Sequence, residues 1–152
     1  MLDLVVKPVF WQDPPMIKIL FNQVVLHHDV CTGDTKFSWT QPALDHNRLS
    51  VFLLNKRESD NRNGQDKAII IQRVGIEKFF YDSFMQQARY RPDYSAGYYQ
   101  YAMERGIKVE PVVQSNYLGF NGEWWLEWSW PTFAWIYNVE TNNQGWIYEK
   151  NI

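Results

Sequence analysis

Residues 121–130 read Asn-Gly-Glu-Trp-Trp-Leu-Glu-Trp-Ser-Trp and place four tryptophans within seven positions. In an extended strand, side chains alternate between two faces. Trp124, Leu126, Trp128 and Trp130 then share one uniformly apolar face, expected to point into a core. Trp125, Glu127 and Ser129 share the other. An indole beside a carboxylate suits sugars: the ring stacks on the CH face of a pyranose while the carboxylate accepts hydroxyl hydrogen bonds. The competing expectation is that Trp125 packs under a loop or against a neighbouring subunit.

A second cluster offers metal chemistry. Asp60, Asn61, Asn63 and Asp66 surround Gly64 and present oxygen ligands of the kind Ca²⁺ takes. The spacing is not that of an EF-hand, because Ser59 falls at the first ligand position and Ile70 at the closing one. Asp60, Asn63 and Asp66 are the metal candidates. The alternative is a solvated hairpin loop whose polar residues serve the turn.

A third cluster is rich in tyrosine: Tyr90, Tyr94, Tyr98, Tyr99 and Tyr101, with Arg89, Arg91 and Arg105. This composition suits a contact surface, or a lid over an open sandwich end. Tyr94, Tyr98 and Tyr101 would share one side of a helix. Tyr98 and Tyr99 join Trp125 and Glu127 as carbohydrate-binding candidates. His27-His28-Asp29, with Cys31, Asp34 and His46 nearby in sequence, is read as structural, since adjacent histidines of an extended segment point to opposite sides and do not converge on one ion.

No catalytic signature stands beside these. The chain has no G-x-S-x-G elbow, H-E-x-x-H helix, P-loop or dinucleotide fingerprint. Glu123 and Glu127 are evenly spaced, but two carboxylates on one strand carry no specificity. The expectation is a non-enzyme. A net charge of −2 without a basic block argues against nucleic acid. No run reaches the roughly 20 apolar residues of a membrane span. Asp3, Lys7 and Asp13, with Pro8, Pro14 and Pro15 among and after them, do not read as a signal peptide. Synthesis in a cytoplasm is the corresponding expectation.

The elements that must position these clusters read mostly as strands. Ile17–Phe21 alternates, Asn22-Gln23 marks a tight turn, and Val24-Val25-Leu26 resumes. Thr35–Trp39 is a short strand before Pro42. Leu49, Val51 and Leu53 share a face within 48–55. Residues 56–66 form a polar loop with a turn signal at Asn63-Gly64. Residues 67–81 are one long strand, or two with a break near Gly75. Residues 82–90 form one short helix capped by Asp82 or Ser83, and 90–106 a structured loop. Val109–Val113, Tyr117-Leu118, 123–130, 133–137 and 146–148 complete the strands. The fold class is all-β: a single antiparallel β-sandwich of jelly-roll type over 1–152, with 1–15 an N-terminal arm or edge strand and 82–106 a Tyr-rich insertion.

The segment 46–76, HNRLSVFLLNKRESDNRNGQDKAIIIQRVGI, resembles the strand–polar loop–strand unit of calcium-dependent, xylan-binding carbohydrate-binding modules. Asn55 and Asp66 fall at comparable places, although Gln65 separates Gly64 from Asp66 and Lys67-Ala68 stands where Arg-Asn is usual. Together with Tyr117–Asn138, in which Gly119-Phe120-Asn121-Gly122 precedes an aromatic strand ending at Pro131, it is similar to short β-rich proteins of tailed, especially marine, bacteriophages. The resemblance implies a Ca²⁺ cofactor, a virion location and a glycan or other virion proteins as partners, with oligomers on the particle. Two functions remain open: a carbohydrate-binding-like module of a tail or capsid appendage, and a purely structural decoration or adaptor subunit.

Overall fold

A computed structural model describes residues 1–141. The strands are β1 (Leu2–Val9), β2 (Met16–Phe21), β3 (Val24–Val30), β4 (Thr35–Trp39), β5 (His46–Leu53), β6 (Ala68–Ile76), β7 (Arg89–Pro92), β8 (Tyr117–Leu118) and β9 (Gly122–Ser129). They form two sheets ordered β4-β1-β6-β8 and β3-β2-β5-β9-β7. Every pairing is antiparallel. The chain passes from one sheet to the other at each connection except β2–β3, a winding of jelly-roll type.

Alternation builds the core between the sheets. Ile17, Ile19 and Phe21 of β2, Leu49, Val51 and Leu53 of β5, and Trp124, Leu126 and Trp128 of β9 are buried from one side. Leu2, Leu4 and Val6 of β1 meet them from the other. In β6 both odd and even positions are buried, Ile69 and Ile71 but also Val74 and Ile76. A bulge explains this. Val5 pairs with Arg73 and Val6 with Ile71, so Gln72 is an extra residue that resets the alternation.

Several expectations hold. Asn22 and Gln23 both adopt positive φ, 49° and 69°, in the two-residue turn between β2 and β3. Residues 35–39 and 117–118 are strands, and a short helix, α1 (Asp82–Gln87), lies where one was expected. Its N-cap is Tyr81, without a side-chain capping bond, rather than Asp82 or Ser83.

Others are corrected. Within the first fifteen residues the strand β1 is not an edge: it lies between β4 and β6. Gly75 does not break β6; the Phe80 ring lies where a Cβ would stand, at 2.6 Å. The reversal comes at Glu77-Lys78, both at positive φ. Residues 90–106 contain the rest of β7 and a second helix, α2 (Ala96–Glu104), started by Ser95, whose Oγ accepts from Tyr98 N at 3.1 Å. Residues 109–113 contribute only a bridge, Tyr90 to Val113. Residues 133–137 lie in a third helix, α3 (Thr132–Glu140). Aromatic content favours a strand there, but the buried residues Thr132, Ile136 and Val139 follow helical spacing. The strand expected at 146–148 lies outside the described residues.

The inward face of β9 also ends earlier than expected. The strand stops at Ser129, and Trp130 is 62% exposed rather than core. Two indoles, not three, enter the core from this strand. Trp128 stacks on Phe21, with ring centroids 5.7 Å apart, and meets Trp135 of α3 at 6.2 Å.

Candidate functional site

The outer face of the five-stranded sheet carries Trp125, as alternation requires. The residues opposite it in the neighbouring strands are Ser50 on β5 and Arg89 on β7. One step along the diagonals, the Arg48 and Arg91 guanidiniums lie 4.6 and 4.9 Å from the indole centroid. Glu127 accepts from Arg48 Nη1 at 2.6 Å, and His46 Nε2 lies 3.4 Å from its other oxygen. Glu123 takes Arg48 Nη2 at 2.9 Å and the Ser50 hydroxyl at 2.6 Å. Trp125 and Glu127 therefore belong to a closed cation–π and ion-pair network. The indole is half-buried beneath guanidiniums.

The polar loop is equally closed. Asp66 Oδ1 accepts from the Lys56 ammonium and from Lys67 N, and Oδ2 from the Tyr117 hydroxyl. Lys56 Nζ also donates to the carbonyls of Lys67 and Gly119, at 3.0 and 2.9 Å. Asp60, almost wholly buried, accepts from Arg57 N at 2.7 Å and lies 3.5 Å from the equally buried Lys67 Nζ. Lys67 Nζ further reaches Asp13 at 3.0 Å and the Asn55 carbonyl at 3.2 Å. Burial alone would raise the Asp60 carboxyl, but the Arg57 N–H, its guanidinium and Lys67 outweigh it and hold the group below its ordinary range. The Lys67 hydrogen bond does the same for Asp13. The Asp66 carboxylate beside Tyr117 adds to burial in pushing that phenol upward.

These residues do not fit a calcium ion. Asp60 and Asp66 already hold lysine ammoniums, and Asn63 sits at positive φ in the Asn63-Gly64 hairpin tip between the bridged Arg62 and Gln65. Asn55 is occupied too, accepting from Met16 N at 2.7 Å and donating to Pro14 O at 3.1 Å. Among the described residues no group of three or more His, Cys, Asp or Glu side chains could hold a metal. The loop gains its positive charge from lysine.

The open site lies at the end of the sandwich, where α2 meets the polar loop and the 119–122 turn. A groove of about 660 Å³ has Tyr94, Tyr98, Tyr101 and Phe120 on its aromatic side and Asn61, Glu58 and Asp93 among its polar residues. Tyr94 and Tyr98 stack with centroids 5.1 Å apart, and Phe120 meets both edge-on, at 5.1 and 5.0 Å. Tyr94, Tyr98 and Tyr101 do lie together. Tyr99 is half-exposed, touches the Tyr94 ring at 5.8 Å and does not line the groove.

The groove's frame is rigidly tied. The buried Tyr90 hydroxyl donates to Phe120 O and accepts from Phe120 N, and burial raises its pKa far above the ordinary tyrosine value. Asn121 Oδ1 accepts from Lys56 N at 2.7 Å and its Nδ2 donates to Lys56 O at 3.1 Å. Asp93 N donates to Asn121 O at 2.6 Å. Gly122 permits this approach, since a Cβ there would stand 2.2 Å from Arg91 O. Glu58 accepts from Gly97 N at 3.0 Å, fastening the first turn of α2 to the 3-10 turn Glu58–Asp60. Tyr94 donates to Glu110 O at 2.8 Å, and burial, then the Tyr98 and Tyr99 phenols, raise its pKa.

Within this frame the side-chain polar groups of Asp93, Asn61 and Tyr98 hold no hydrogen-bond partner among the described residues. Of the four carbohydrate-binding candidates, Tyr98 alone lines the groove, and no contact joins it to Trp125 or Glu127. Asp93 carries no signal in the sequence, Asn61 reads there as an oxygen ligand of the polar loop, and Phe120 only as part of a turn. They lie in three separate loops, and nothing local in the sequence marks their convergence.

No family model matches the chain, and no curated protein sequence does. Among solved structures it is similar to one described as "vCBM60 in complex with galactobiose", at 8% identity and a TM-score of 0.49, covering 84% of this chain and 96% of that one. The galactobiose is that protein's ligand.

Proposed function

We propose that this protein is a non-catalytic glycan-binding module whose site is the groove between α2 and the 119–122 turn. One observation carries the reading. Stacked rings and uncommitted hydrogen-bonding groups occur together in one cleft, the combination by which proteins hold a sugar ring and orient its hydroxyls. The packed rings of Tyr94, Tyr98, Tyr101 and Phe120 supply the aromatic surface, and Asp93 and Asn61 receive the hydroxyls. The virion setting draws on the sequence resemblance, and a weak site gains from many copies on one particle. The test is a glycan array followed by calorimetry, on the wild type and on Tyr98→Ala. Binding that weakens roughly tenfold in the variant, about 1.4 kcal/mol, supports the reading. Absence of binding to any glycan, or undiminished binding by Tyr98→Ala, overturns it.

The second reading, a structural virion subunit, draws on a different surface. Trp130 and Phe133, at the entrance to α3, are each 62% exposed. Exposed aromatics are enriched where protein chains meet. Sedimentation of the wild type and of Trp130→Ser with Phe133→Ser distinguishes it: self-association lost in the double variant favours a subunit, and a monomeric wild type counts against it.

A further inference from the structure

Resting on that glycan reading, the geometry points to Asp93 as the residue that sets the charge class of the sugar: it favours a protonated amino sugar over a neutral one and rejects uronic acids. Two cations line the groove, and the charge of each is already paired with a carboxylate. The Lys56 ammonium has three partners, Asp66 and the carbonyls of Lys67 and Gly119, which occupy its three N–H bonds. The Arg57 guanidinium holds Asp13 and Asp60. Glu58 accepts the Gly97 N–H. Asp93 is exposed and its carboxylate has no partner among the described residues. Neither Asp93 nor Glu58 is ion-paired among the described residues, so the unpaired charge facing the groove is negative, and of the two carboxylates Asp93 is the one with no hydrogen bond.

Position strengthens this. Asp93 also borders a second hollow of about 380 Å³ with Phe52, Arg91 and Glu123, so it stands at the rim where a chain of sugars would leave the groove. Arg91, which lines the same second hollow, is drawn to the sheet face: its guanidinium lies 4.9 Å from the Trp125 ring and 4.0 Å from Glu123. A uronate at the rim would meet Asp93 as a like charge, whereas a hexosamine amine would meet a free acceptor.

The experiment compares three oligosaccharides of equal length, of glucosamine, N-acetylglucosamine and galacturonic acid, against the wild type and Asp93→Asn at low salt. For the wild type, affinity should fall in that order, with at least roughly tenfold between the first and the last. Asp93→Asn should compress the range to within a few-fold, and 0.5 M salt should do the same for the wild type. Because the Asp93 side chain holds nothing else, the variant keeps the frame, and an unchanged melting temperature verifies this. Equal affinity for all three sugars in the wild type, or an unchanged ranking in Asp93→Asn, overturns the assignment while leaving glycan binding intact. Binding of none of the three, together with a blank array, overturns both.

Discussion

Two aromatic surfaces of this molecule have nearly the same ingredients and opposite standing. On the outer face of the five-stranded sheet, Trp125 lies beside two glutamates and two arginines; at the sandwich end, Tyr94 and Tyr98 lie beside Asp93, Glu58, Lys56 and Arg57. On the sheet each charge has found another, and the indole is covered by guanidiniums. In the groove the cations are drawn away into the loop behind, leaving a carboxylate, an amide and a phenol free. Residue type does not separate the proposed binding surface from the structural one. What separates them is whether the polar groups are already bonded.

The sharpest ways to test that contrast begin with the core that supports both surfaces. Trp124→Ala should cost about 3–5 kcal/mol in chemical denaturation, since its ring is fully buried; a cost below about 1 kcal/mol would mean that β9 is turned over and the two faces are exchanged. Lys56→Met should cost about 3 kcal/mol, because it removes the cation from the partly buried Asp66 and the ammonium donor from two carbonyls. Neither calcium nor a chelator should shift the melting temperature of the wild type by more than about 1 °C, which corresponds to a few tenths of a kcal/mol; stabilisation by calcium would reinstate a metal in the loop. Trp125→Ala should cost about 1–2 kcal/mol through lost cation–π contact and packing, with glycan affinity unchanged. Loss of binding in that variant would move the site to the sheet.

The smallest effect is on acid stability. The folded pKa of Asp60 is depressed, so its contribution is complete above the unfolded value of about 3.9 and disappears as pH falls through the lower folded one. Asp60→Asn should therefore flatten the stability profile below about pH 4 relative to the wild type. Identical acid limbs would show that Asp60 is not held by its cations.

Much of the sandwich was legible because the information is local. The alternation Leu49-Val51-Leu53 and the pair Asn22-Gln23 each specify geometry within a few residues. The misread segments had their cause elsewhere. Residues 133–137 look like a strand, yet their neighbours Trp128 and Phe84 offer a surface that Trp135 reaches from a helix. Glu77 and Lys78 turn with positive φ without a glycine or asparagine to announce it. The site was harder still. Tyr98 was found through composition, but Asp93 and Phe120 join it only after β7 pairs with β9. Asp60 and Asp66 suggest metal in the sequence because nothing local shows that Lys67 and Lys56 fold back to answer them.

The route of the chain between the sheets has a kinetic consequence. Among the described strands β2–β3 is the one connection that closes inside a sheet, so nearly every strand must wait for a partner synthesised far from it. Search over such long separations slows assembly, placing refolding in the range of roughly milliseconds to seconds typical of β-sandwiches rather than the microseconds of helical bundles. The hairpin of residues 16–30 is then the natural seed from which the remaining strands are gathered.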